Sequence, residues 1–172
     1  MFTVTRMIGA TPEQVWAVLE DGWSYSSWVV GASRMRAVGE DWPATGSRLY
    51  HSAGVWPLVI NDHTEVLESD PPRRLRLQAH GWPAGEATIE LRIEPAGGGS
   101  KVTIVEDATR GPGRFVPKAL RQPAIALRNT ETLRRLAYMA EARTDPQSGD
   151  GADAGSAESL AQSKIHPDGD QP

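Results

Sequence analysis

Cysteine is absent from the chain. That excludes disulfide bridges, thiolate zinc sites, a thiol nucleophile and a Rieske-type iron–sulfur cluster. No apolar run approaches the roughly 18 residues that a membrane-spanning helix needs. The opening Met1-Phe2-Thr3-Val4-Thr5-Arg6 lacks the basic-then-apolar order of a secretory signal. Together these absences predict a cytoplasmic protein with no membrane insertion. Charge of one sign is also scarce: the net charge is −4. Much of it lies beyond Thr144, where Asp145, Asp150, Asp153, Glu158, Asp168 and Asp170 face the lone base Lys164. The remaining body is near neutral and offers no electrostatic footprint for nucleic acid.

With 172 residues, the chain suits one domain with a core large enough to need no metal or disulfide. Residues 1–143 carry the patterned sequence. Residues 144–172 are rich in Asp, Gly, Ser, Ala and Gln, and Leu160 and Ile165 are their only large apolar residues. Such a segment cannot bury enough surface to offset its ordering entropy, so it reads as a disordered acidic tail. A partner-binding role for it stays open, and the protein partner is unknown.

The body opens with alternation over Phe2–Ile8, a strand. Thr11-Pro12-Glu13-Gln14 follows. Thr11 can cap a helix, Pro12 suits its first position and Gln14 completes a capping box. Val15, Trp16, Val18 and Leu19 form its apolar stripe, with Trp16 expected in the core, and Asp21-Gly22 ends it. A second short helical piece is expected over Ser24–Val30. Six further strands are expected at Met35–Glu40, Ser47–Ala53, Leu58–Glu68, Arg74–His80, Ala84–Glu94 and Ser100–Thr109. Their separators are short turn signals, which suit antiparallel neighbours. A long helix from Gly113 or Arg114 to Arg143 closes the pattern. Val116, Leu120, Leu127, Leu133, Leu136, Ala137 and Ala140 mark its stripe, and Pro123 should bend or interrupt its first third.

This order resembles the SRPBCC or START-related superfamily, the helix-grip fold of the birch-pollen allergen. Within it the chain is similar to bacterial members of polyketide cyclase/dehydrase and lipid-transport type. The resemblance rests on Ala10-Thr11-Pro12-Glu13-Gln14-Val15-Trp16, Thr64-Glu65-Val66-Leu67-Glu68, Asp70-Pro71-Pro72-Arg73-Arg74-Leu75, Gly97-Gly98-Gly99-Ser100-Lys101-Val102-Thr103 and Arg128-Asn129-Thr130-Glu131-Thr132-Leu133-Arg134-Arg135-Leu136. It implies an α+β fold in which a curved seven-stranded antiparallel sheet wraps a long C-terminal helix, with two short helices after the first strand. It also implies a cavity for an apolar ligand between sheet and helix. The superfamily spans binders, carriers and cyclases, so the fold leaves the activity open.

Polar residues on otherwise apolar strand faces are the candidates for chemistry. His51 shares a face with Leu49 and Ala53, and Glu106 shares one with Val102, Ile104 and Ala108. His51 and Glu106 could form an acid–base pair or, equally, a satisfied buried pair. His63 and Asp62 are sequence neighbours that point to opposite faces, a poor dyad. His80 ends a strand, His166 lies in the tail, and the four histidines show no metal spacing, so no metal and no cofactor is expected. Ser24, Ser26 and Ser27 read as surface hydroxyls, and no hydrolase elbow or phosphate-cradling loop appears. Six tryptophans stand against two phenylalanines. Trp23 and Trp28 flank the second helical piece, and Trp42, Trp56 and Trp82 lie near loops, where aromatics can line or gate a cavity. The expected ligand-binding set is Trp28, Leu49, His51, Trp56, Ile89, Leu91, Ile104, Glu106, Leu120 and Leu127. Three readings remain: a binder or carrier of a lipid-like, polyketide-like or aromatic small molecule, a cyclase or dehydratase acting on one, and a non-catalytic partner-binding module.

Overall fold

The computed structural model describes residues 1–55, 57–81, 85–110 and 118–143. Seven strands form one antiparallel sheet. They are β1 (Phe2–Ile8), β2 (Ala32–Val38), β3 (Arg48–Val55), β4 (Leu58–Asp70), β5 (Arg74–Gly81), β6 (Gly85–Ala96) and β7 (Gly99–Arg110). Their spatial order is β1-β7-β6-β5-β4-β3-β2. Strands β2 to β7 therefore each lie beside their sequence neighbour. The one long crossover joins the two sheet edges, and it carries α1 (Pro12–Leu19), a 3-10 turn (Gly22–Ser24) and α2 (Tyr25–Trp28). The long helix α3 (Lys118–Ala142) packs against β1, β7, α1 and α2. This is the expected helix-grip arrangement.

Local chemistry explains the crossover. The Gln14 amide donates to the Thr11 hydroxyl at 3.3 Å, and the Thr11 amide donates to the Gln14 side chain at 2.8 Å. Pro12 occupies the first turn, where a missing N–H costs nothing. The helix presents Val15, Trp16, Val18 and Leu19 to the core, all buried. Ser24, read from sequence as a surface hydroxyl, is buried instead. It donates to the Val18 and Asp21 carbonyls at 3.1 and 2.8 Å, which closes the turn into α2. Trp42 donates to the Leu19 carbonyl at 3.1 Å and seals the same end.

Three sequence expectations shift. Strand β2 begins at Ala32 rather than Met35 and ends at Val38. Its register slips between Ala32 and Arg34 and between Met35 and Ala37, which blurs the alternation by which a strand is read. Helix α3 runs on through Pro123, so of the expected bend or interruption the interruption does not occur. Pro123 lies in the second turn, where one backbone hydrogen bond is lost while the rest of the helix is held by packing. The expected helix start at Gly113 or Arg114 falls outside the described residues, as do the tail and Trp82.

The third shift concerns the apolar stripe of α3. Leu133, Leu136, Ala137 and Ala140 are buried, but Leu127 is 75% exposed. Six residues separate Leu127 from Leu133, which places them about 120° apart around the helix. The buried face toward the N-terminal half is carried by Asn129 and Thr132, with Ile125 and Arg128 half-buried. The helix is thus apolar where it closes the core with Ile8, Leu19, Ile93 and Val102, and polar where it faces the other end of the sheet.

Candidate ligand cavity

At that other end a gap opens between the sheet and α3. A cavity of about 320 Å³ lies between them. The sheet contributes an apolar wall of Ala53, Leu77, Ala79, Ala87, Ile89, Leu91 and Ile104. Helix α2 contributes Tyr25 and Trp28, and α3 contributes Ile125, Arg128, Asn129 and Thr132. His80, Glu86 and Arg110 also border it. The volume falls at the small end of the range for small-molecule sites, about 300–1,000 Å³, and the mix of apolar wall and few polar groups is typical of them.

Two polar clusters interrupt the apolar wall. The first is centred on Glu106 of β7, which is buried. Arg128 donates to its Oε2 in a salt bridge, and Asn129 donates to the same oxygen at 2.9 Å. The Arg128 side chain keeps 40% of its surface exposed and so reaches from the carboxylate toward solvent. Thr132, one turn on, accepts from the Val30 amide at 3.2 Å and ties α3 to the segment after α2.

The second cluster is a chain of hydroxyls and an imidazole. His51 Nε2 lies 3.1 Å from the Thr64 hydroxyl, which lies 3.3 Å from the Tyr25 hydroxyl. The Tyr25 ring stacks on the His51 ring at 5.5 Å and meets Trp28 edge-on at 5.3 Å. Burial lowers the pKa of His51 and raises that of Tyr25, so both stay neutral near neutral pH. Two hydrogen-bond directions satisfy the chain. If Tyr25 donates to Thr64 and Thr64 to His51 Nε2, His51 holds its proton on Nδ1 and is a donor there. Reversal makes Nδ1 an acceptor. Trp28 Nε1 is buried and has no hydrogen-bond partner among the described residues; His51 Nδ1 is buried too, with no well-formed hydrogen bond but with the Ser52 backbone beside the ring. Both residues border the cavity, and an enclosed polar atom without a partner is costly, so a small side-chain shift that let a guest's oxygen reach Trp28 Nε1 would be favoured.

The structure brings Trp28, His51, Ile89, Leu91, Ile104 and Glu106 to the cavity wall. It does not pair His51 with Glu106: each has its own partners, on different elements. Leu49 is fully buried in the core cluster rather than at the cavity. Leu127 points away to solvent. Trp56 lies outside the described residues, and so does the side chain of Leu120. Sequence reasoning missed Tyr25, Thr64, Arg128, Asn129 and Thr132. Ile125, Arg128, Asn129 and Thr132 recur at helical spacing, a signal for one face; their polarity hid it, because an inward face was sought among apolar residues.

The family model described as polyketide cyclase / dehydrase and lipid transport matches residues 1–141. No curated protein matches the sequence. Among solved structures, a protein of Nitrosomonas europaea is 16% identical with a TM-score of 0.66, over 83% of this chain and 95% of its own. One from Rhodobacter sphaeroides is 25% identical with a TM-score of 0.64, over 81% and 91%. The di-domain aromatase/cyclase StfQ of steffimycin biosynthesis is 13% identical with a TM-score of 0.65. That match covers 83% of this chain and 51% of the longer one.

Proposed function

The chain belongs to the polyketide cyclase / dehydrase and lipid transport family, and from that premise we propose that it binds a compact hydrophobic small molecule between the sheet and α3. The observation that carries this reading is the apolar cavity of about 320 Å³ between the sheet and α3, whose wall is interrupted by Trp28, His51 and the Glu106–Arg128 pair. Burial of ring or chain carbons against Leu77, Ile89, Leu91 and Ile104 would supply most of the affinity. An oxygen of the ligand accepting from Trp28 would set its orientation. The cavity's size favours a few fused rings over a long acyl chain. Native mass spectrometry of freshly purified protein tests the proposal, since a bound small molecule would travel with the chain and leave on denaturation.

A second reading, cyclisation or dehydration of such a ligand, is favoured by the Tyr25–Thr64–His51 chain. There His51 would take a proton from the ligand at Nδ1 while its Nε2–H donates to the Thr64 hydroxyl, and the imidazolium would return that proton to the ligand's departing hydroxyl as water leaves. Glu106 fits an acid–base role less well, because Arg128 and Asn129 already occupy its Oε2. His51→Gln separates the readings. A binder keeps its function with modestly altered affinity. An enzyme keeps binding and loses turnover by roughly two to four orders of magnitude.

A further inference from the structure

Where His80 borders the cavity, the sheet carries two histidines side by side. The antiparallel register that pairs Thr64 with Ala79 puts His63 of β4 beside His80 of β5. Their rings stack at 4.1 Å with 18° between the planes. The neighbouring Asp62 belongs to the buried face of β4, yet its carboxylate turns back along the chain. Asp62 Oδ1 accepts from the His63 amide at 2.8 Å and lies 3.9 Å from His63 Nδ1. Asp62 and His63, which strand alternation sets on opposite faces, are therefore brought to one point by a side-chain turn that alternation does not describe.

We infer that Asp62, His63 and His80 form a site for one divalent transition-metal ion of the zinc type. One donor atom from each of the three lies within 4.8 Å of the other two. Ligands sharing a tetrahedral zinc ion, with bonds of about 2.0–2.2 Å, stand about 3.4 Å apart, so the site needs only a small inward movement. Near-parallel stacked rings hold their in-plane lone pairs in separate planes, so a ring must turn about its soft terminal torsion for both to reach one ion. Two imidazoles and one carboxylate suit zinc, cobalt, nickel or copper and not calcium or magnesium.

Two further observations support the assignment. His80 Nδ1 is enclosed and has no hydrogen-bond partner among the described residues. His80 Nε2 lies 3.9 Å from Glu86 Oε1. A histidine bound to metal through one nitrogen and facing a carboxylate with the other is the usual outer support of such sites. The side chains of His63 and His80 also keep 33% and 28% of their surface exposed, which leaves an ion a way in. The inference does not rest on the proposed ligand, although His80 and Glu86 also border the cavity.

The test uses the full chain without a histidine tag. It is titrated with cobalt(II), read by visible absorption, and with zinc(II), read by calorimetry. One equivalent should bind, with the intense visible bands of a low-symmetry cobalt site. His63→Ala and His80→Ala should each weaken binding by roughly tenfold or more, and Asp62→Asn should do so while preserving side-chain size. His166→Ala, in the acidic tail, should change nothing. Thermal melting of each apo variant separates loss of ligand from loss of fold. Binding that survives both histidine variants, or that vanishes with His166→Ala, would overturn the assignment. So would the absence of any binding below millimolar metal.

Discussion

Arg128 of α3 and Glu106 of β7 form a salt bridge across one end of the cavity, and the adjacent Asn129 donates to the same carboxylate oxygen at 2.9 Å. The pair joins helix to sheet where the two are otherwise held apart by empty space. Arg128→Met keeps the aliphatic stem and removes the charge, leaving a buried carboxylate with Asn129. Because Arg128 is partly solvated and Asn129 remains, the expected loss is about 1–3 kcal/mol, below that of a fully buried pair. Urea unfolding measures it. Glu106→Gln, which leaves only the partly solvated Arg128 without its carboxylate, should cost less. Equal losses in the two variants would show that the charge on Glu106 needs no compensation.

Leu133 and Leu127 separate the two faces of α3. Leu133 is fully buried and Leu127 is 75% exposed. Leu133→Asp buries an unpaired charge and should unfold the protein or cost several kcal/mol, whereas Leu127→Asp should stay within about 0.5 kcal/mol of the parent. Thermal melts of the two variants give the comparison. Similar destabilisation by both would mean that the helix is rotated from the position described.

Gly99 opens β7 where the chain passes β1. A Cβ there would stand 2.2 Å from the Ile8 carbonyl oxygen, which is backbone and cannot move aside. Gly99→Ala should therefore cost about 1–3 kcal/mol by overpacking. Its neighbour Gly98 has φ +85, and a Cβ there would meet nothing within 4 Å, so any loss at Gly98→Ala comes from backbone strain alone. Denaturant midpoints distinguish them; an unchanged midpoint for Gly99→Ala would contradict the close approach of β7 to β1.

The division of the chain after Arg143 is a proposal from composition. Arg143 donates to the Ala17 carbonyl and to Asp21 Oδ2, and so belongs with the folded body. A chain ending at Arg143 should melt within a degree or two of the full chain. One ending at Glu141 should melt lower. A large fall for the first truncation would show that residues 144–172 contribute to the fold.

The fold was legible because its signals are local and periodic. The Thr11–Gln14 capping box, the alternation of Ala87, Ile89, Leu91 and Ile93, and the Gly97-Gly98-Gly99 turn each announce an element without reference to the rest. The site was legible in half. His51 and Glu106 stood out as polar residues on apolar strand faces. Their partners did not, because Thr64, Tyr25, Arg128 and Asn129 meet them only through the curvature of the sheet and the placing of α3. Leu127 was misplaced by fitting the helical stripe to leucines, when the inward face at that level is Arg128, Asn129 and Thr132. The His63–His80 pair needed strand register, and Asp62 needed a side-chain torsion; neither is written in sequence spacing.

Ligand binding in the cavity is tested most directly by titrating the protein with a fluorescence-quenching, apolar polycyclic probe, alongside a variant in which Ala53→Phe fills the cavity. Trp28 lines the cavity and is 3% exposed, so a bound aromatic should quench its emission. The expected result is saturable binding at micromolar probe to the parent, reduced at least tenfold in Ala53→Phe at unchanged fold, a difference of about 1.4 kcal/mol. Absence of saturable binding to the parent, or equal binding to both proteins, would contradict a ligand site between the sheet and α3.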